Sequence, residues 1–355
     1  MRIVLAVGLT LIVGAATSHA ACSDDWKQCS GKPWVDGDVM ETPLGSEWWP
    51  HPRWGADDQA GSTNWYTKPE VVLRALSVVK QGRAMKIGQD YEASMPLFGQ
   101  RTFSLRIPGA PTGGPFGAAR MTYNDDFLST EISQVGTQFD GLGHVGVAVG
   151  DPQDKSATRF YNGVTAAEML SPYGLQKLGA ERLHPIIARG VLLDVAAARG
   201  VVSMRAGEVI TKADVETALE KQGMEDFAFA EGDAIVFRTG WETHWITDND
   251  TYNDGAPGIG MEVARWLAEE VKAGVTGADT WPVDAMCGER TPCEVPDGCE
   301  LCVHTYLQTR HGIVNQENLK LSSFAKERVY VFLYVFTPVP LKGATGSIGS
   351  PIAIW

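Results

Sequence analysis

The chain has 355 residues, 44% of them hydrophobic, which is enough for one large domain with a full core and too many for a disordered chain. Its 30 basic residues face 43 acidic ones, a net charge of -13, and that balance argues against nucleic acid or an anionic membrane surface as partner. A small molecule is the expected partner.

The chain opens with Arg2, an apolar run from Ile3 to Val13, and the small-residue site Ser18, His19, Ala20. This order predicts a signal peptide over 1-20 cut after Ala20, one domain over 21-355, and a periplasmic or secreted protein. The apolar run is too short and too glycine-containing to span a bilayer, and no later segment replaces it, so no membrane insertion is expected. Cys22 would carry lipid in a lipoprotein, but His19 stands where that signal wants an aliphatic residue.

After a tryptophan-rich start, WGADDQAGSTNW is too polar and glycine-rich for a strand and reads as a structured loop. Pro69 to Lys80 then carries a helix signature, with proline at the start, Val71, Val72, Leu73, Leu76 and Val79 on one face, and Gly82 beyond the end. Strands are predicted at Thr102 to Ile107, Val191 to Val195, Ala234 to Arg238 and Val329 to Phe336. Thr211 is placed as N-cap of a helix through Leu219 that Gly223 stops, and Met261 to Lys272 forms another helix ended by Gly274. The alternation predicts an α/β fold: a mixed β-sheet or barrel-like core with flanking helices.

All 6 cysteines lie beyond the predicted signal, and Cys287, Cys293, Cys299 and Cys302 crowd into a loop at 287-302. An exported chain favours disulfides, with a four-thiolate zinc site as the competing reading, and Cys22 with Cys29 is expected to form a local clip unless one of them reaches the cluster.

The chemistry concentrates in SQVGTQFDGLGHVG, Ser133 to Gly146, where Gln134, Gln138, Asp140 and His144 share a glycine-laced turn. Glycines at 136, 141, 143 and 146 suit a loop folded tightly around a small object such as an ion. Each residue also has an ordinary explanation: Asp140 caps a turn, the glutamines bond to backbone, and His144 is a satisfied core histidine. GLGHVG matches a dinucleotide fingerprint in form, yet VAVGDPQDK after it is no helix, so that reading fails.

QVGTQFDGLGH resembles the signature HxGTHxDxxxH of the cyclase family, which includes kynurenine formamidases and isatin hydrolases. WGADDQAGSTNW, LLDVA, GDAIVFRTGW, GADTWPVD, HGIVNQENL and GATGSIGSPIAIW resemble further family segments in family order. The resemblance implies a swivelling β/β/α fold, a small-molecule substrate and a metal-dependent hydrolase of a small amide, cyclic amide or lactone. It makes His144 the general base, and it puts Gln134, Gln138, Asp140, His304 and Glu317 around the metal. Gln134 and Gln138 stand where the family has histidines, and an amide oxygen is a weaker, uncharged ligand. Asp140 and Glu317 together offset one divalent ion, so one metal is expected, manganese before zinc. A homo-oligomer, dimer or tetramer, is also expected.

Other readings remain in the sequence. Glu317 would be an exposed helix-start acid if QENLKL begins an amphipathic helix, and His304 a core histidine. His311, close to Glu317 in sequence, could line a substrate pocket. TGSIG around Ser347 approaches a nucleophile elbow, but Thr345 replaces its first glycine and a terminal strand follows it. The rival to an enzyme is a non-catalytic periplasmic small-molecule binding protein on the same fold.

Overall fold

A computed structural model of the chain describes residues 51-149, 153-296 and 299-355. The signal segment expected at 1-20, with Cys22 and Cys29, lies outside the described residues. A nine-stranded mixed sheet organises the fold. In chain order its strands are β1 (Ala84–Lys86), β2 (Gln138–Asp140), β3 (Ile186–Asp194), β4 (Ala234–Arg238), β5 (Val275–Ala278), β6 (Val314–Glu317), β7 (Val331–Phe336), β8 (Gly346–Ile348) and β9 (Ile352–Ile354). Their spatial order is β1-β9-β7-β3-β4-β5-β6-β2-β8. The centre, β3 to β6, is parallel, and the strands on either side join antiparallel. The α/β class with a mixed sheet is therefore as the sequence predicts.

The central strands read as apolar runs because both faces of the sheet are covered. On β3 and β4, Leu192, Ala234 and Val236 join one buried cluster with Phe139, Phe332 and Phe336. Their neighbours Val191, Leu193, Ile235 and Phe237 enter a second cluster, roofed by helical residues such as Val263, Leu267, Val303 and Leu307. Side chains alternate across a strand, so one short segment feeds two cores.

Helix Lys212–Lys221 starts where expected: Thr211 and Asp214 form a reciprocal capping box. The helix at Met261 keeps α geometry only to Arg265, widens into π turns over Trp266–Val271, and ends on Lys272 in the left-handed region, two residues before the predicted glycine. The strand predicted at Thr102 to Ile107 forms as Phe103–Arg106, but it pairs with Phe127–Thr130 in an arm outside the main sheet. That arm leaves Leu105, Ile107, Phe116, Met121 and Phe127 exposed.

Candidate metal centre

Three residues supply one centre. On β2, Phe139 points into the first core and packs against Phe336 at 5.1 Å between ring centroids. Period-two alternation therefore sends its neighbours Gln138 and Asp140 to the opposite face. β6 pairs antiparallel with β2, setting Glu317 opposite Gln138 and Asn315 opposite Asp140. Gln138 and Glu317 then meet as a cross-strand pair, with Gln138 Nε2 donating to Glu317 Oε2 at 2.6 Å. His304 descends from the helical segment that begins at Cys302, and its Nε2 lies 3.4 Å from Asp140 Oδ2 and 3.0 Å from Glu317 Oε1. Ligand atoms of Asp140, His304 and Glu317 all fall within 4.8 Å of one another, and all three residues are buried.

The backbone around this cluster is tightly built. Gly136 adopts φ of 58° beneath the Tyr91 ring, which leaves no room for a side chain. The glycines at 141, 143 and 146 differ from expectation, because none needs a left-handed backbone. They clear space instead: a Cβ on Gly141 would lie 2.7 Å from the Thr345 carbonyl oxygen, and one on Gly146 equally close to that of Arg159.

Asp284, which the sequence reading did not single out, fixes the imidazole. Its Oδ1 accepts from the backbone N–H of Val303 at 2.9 Å, capping the short helix, and its Oδ2 lies 2.5 Å from His304 Nδ1. A carboxylate there requires the Nδ1–H form and leaves Nε2 facing Asp140 and Glu317. The only signal in the sequence was the position of Asp284 at the end of GADTWPVD.

Gln134 and Gln138, both expected as metal ligands, hydrogen-bond the two carboxylates of the centre. Gln134 Nε2 donates to Asp140 Oδ1 at 2.7 Å, and Gln138 Nε2 to Glu317 as described. Ionised carboxylates only accept hydrogen bonds, so each amide must turn its nitrogen toward them and its oxygen away. Gln134 Oε1 accepts from Arg101 Nη2 at 3.1 Å instead. Both glutamines thus hold the carboxylates that face the centre.

The electrostatics fit a cation. Burial alone would push the Asp140 carboxyl up, but His144, His304 and the Gln134 N–H hold it below the usual carboxylate range. Burial and the Asp140 charge push Glu317 up to about 7, against His304 and Gln138. Burial also disfavours charge on His304, yet Asp284, Asp140 and Glu317 raise it well above its ordinary value. Positive charge is therefore favoured between two buried carboxylates. Asp140 Oδ2 is buried with no hydrogen-bond partner, a condition that a metal ion would relieve. One imidazole and two carboxylates form a common donor set for manganese or zinc.

His144 lies at the edge of the centre with its Nε2 3.8 Å from Asp140 Oδ1 and its side chain 26% exposed, so it is no closed core histidine. The centre opens into a cavity of about 140 Å³ walled by Phe98, Arg101, His144, Trp281 and Leu301. Glu317 sits on a strand and is 1% exposed, which removes the helix-start alternative. His311 lies apart from the centre and lines a separate cavity of about 480 Å³ with His51, Arg53, Trp54 and Trp65. Burial holds its imidazole down at about 3. Ser347 lies on β8, buried, with its hydroxyl donating to the Ile348 carbonyl and accepting from Val339, so it is a structural hydroxyl. Disulfides Cys287–Cys293 and Cys299–Cys302 replace the zinc alternative, the second ending two residues before His304.

No protein of curated function matches the chain in sequence. Among solved structures, one described as a novel cyclase is 28% identical with a TM-score of 0.71, covering 85% of this chain and 96% of its own. Isatin hydrolase A from Ralstonia solanacearum is similar at 18% identity and a TM-score of 0.50, over 76% of this chain and 91% of its own. Isatin hydrolase A from Labrenzia aggregata, bound to benzyl benzoate, is similar at 17% identity and a TM-score of 0.50, over 76% and 93%. At such identities the likeness to both hydrolases is one of fold. The profile of the Cyclase family matches residues 64–285, more than half of the chain, and the protein belongs to that family.

Proposed function

We propose that the protein is a metal-dependent hydrolase of a small amide, cyclic amide or lactone. The observation that carries this reading is the convergence of Asp140, His304 and Glu317 within 4.8 Å beside a cavity of about 140 Å³. These three residues would hold one divalent ion, manganese in preference to zinc because two of the three donors are carboxylate oxygens. When bound, the ion supplies Lewis acidity toward a carbonyl and toward water. Gln134 and Gln138 orient the two carboxylates, and Asp284 keeps His304 Nε2 directed at the centre. His144, on the cavity wall, is the base that takes the proton of the attacking water and returns it to the leaving nitrogen or oxygen. Phe98 and Trp281 shield the reacting carbonyl from bulk solvent on one side.

The signal segment, the periplasmic or secreted location and the single domain over 21-355 belong to the same proposal. So does a homo-oligomer, because the arm at 103-130 exposes more apolar surface than a free hairpin should carry. A second reading has one observation in its favour: the glutamine amides already satisfy oxygens of both carboxylates, as a metal-free binding protein would need. An activity screen separates them. Chain loaded with manganese or zinc is offered aryl formamides, fused cyclic amides and aromatic lactones. Hydrolysis that chelator abolishes and metal restores is expected, whereas binding with no turnover in any class favours the binding protein.

A further inference from the structure

The cavity beside the centre is walled by an aromatic pair and one guanidinium. Phe98 and Trp281 stack with centroids 4.2 Å apart and planes 18° from parallel. A volume of about 140 Å³ is close to that of cavities that hold one benzene-sized ring, on the order of 150 Å³. Arg101 lines the same cavity, with its guanidinium 5.4 Å from the Phe98 ring centroid, and among the described residues its nitrogens donate only to neutral acceptors. Its Nη2 donates to Gln134 Oε1 and its Nη1 to the Phe98 carbonyl oxygen at 3.3 Å. Glu131 lies close enough to feel its charge, but no carboxylate is within ion-pair distance of it among the described residues. The other charged groups on the wall, Asp140, Glu317 and His304, belong to the centre itself. One positive charge remains, a single carboxamide away from the centre.

We propose that Arg101 selects the substrate: it captures a carboxylate carried by a ring-sized aromatic amide or lactone whose ring lies against Phe98 and Trp281. This rests on the hydrolase reading for the identity of the scissile bond, but the recognition itself is a binding property. A planar guanidinium has the donor fork that pairs with a carboxylate, and Gln134 and the Phe98 carbonyl hold that fork in place. The substrate's two polar ends then meet two different positive groups, with the reacting carbonyl at the centre and the carboxylate at Arg101.

The test compares benzoate with benzamide, two probes of one shape and different charge, bound to manganese-loaded protein and followed by calorimetry. Arg101→Met should weaken benzoate about tenfold or more, the worth of one charge-assisted hydrogen bond, and leave benzamide within about twofold. Arg101→Gln keeps a polar amide at the position and removes the charged fork, so it should repeat the loss for benzoate with an unchanged melting temperature. It also decides the matter should the methionine variant not fold. Equal weakening of both probes would make Arg101 a brace for Gln134, and unchanged benzoate affinity, or none in the parent, would overturn the proposal. Discrimination without hydrolysis of any amide or lactone would defeat the hydrolase reading alone, and hydrolysis without discrimination would defeat this one alone.

Discussion

Asp140 and His144 sit four positions apart, yet their surroundings ask different things of them. Asp140 is fully buried and supplies half of the negative charge at the centre, so Asp140→Asn leaves a cation facing one carboxylate and is expected to lose both metal and turnover. His144 contacts the centre only at 3.8 Å, so His144→Ala should keep its metal and lose about two to four orders of magnitude in kcat. Metal content by elemental analysis, set beside kcat for each variant, checks both roles. A His144→Ala enzyme as fast as the parent would remove the base from the account. Asp284 acts through His304 alone, and Asp284→Asn should weaken metal binding by about 10- to 100-fold as the ring loses its fixed tautomer. Competition with a fluorescent chelator measures that shift, and an unchanged affinity would make Asp284 no more than a helix cap.

At the scale of elements, the centre is a product of register. The two-residue step on β2 that buries Phe139 also presents Gln138 and Asp140, and a slip of one residue against β6 would turn all of them to the wrong face. Local sequence carried much of this: the motif around Asp140 is contiguous, and β4 falls on the predicted Ala234 to Arg238. It could not show that Gln138 faces a carboxylate, because that depends on Glu317 arriving from a strand about 180 residues later. Asp284 and Arg101 were invisible for the same reason, since their partners His304 and Gln134 are neighbours only in space.

A second buried junction gives an element-scale prediction. Glu242 accepts the backbone N–H of Leu321 and of Ser322, tying the turn after β4 to the start of helix Ser322–Lys326. Burial and the neighbouring Asp279 charge push Glu242 up to about 7. A carboxyl raised on folding contributes stability below its unfolded value, near 4.5, and that contribution is lost as pH rises through about 7. Parent protein should therefore lose up to about 3 kcal/mol from this group between pH 5 and 8, and Glu242→Gln should not. Melting temperatures across that range read the difference, and parallel curves for the two proteins would contradict it.

For the whole molecule, the mixed sheet with helices on its faces is the architecture of the Cyclase family. Among the described residues no helix is long and apolar enough to cross a membrane, and the cysteines at 287, 293, 299 and 302 are paired in disulfides, compatible with an oxidising compartment. The exposed apolar arm and the aromatic cavity are different surfaces of the molecule. The hydrolase reading depends on one claim, that the buried cluster under the cavity is a metal centre.

Native mass spectrometry of the purified chain, reconstituted with manganese or zinc and then stripped with chelator, tests that claim most directly. Asp140 and Glu317 offset the charge of one divalent ion, so the spectrum should show one ion per chain, absent from Asp140→Asn and present in His144→Ala. Two tightly held ions per chain, or none after reconstitution with either metal, would contradict it.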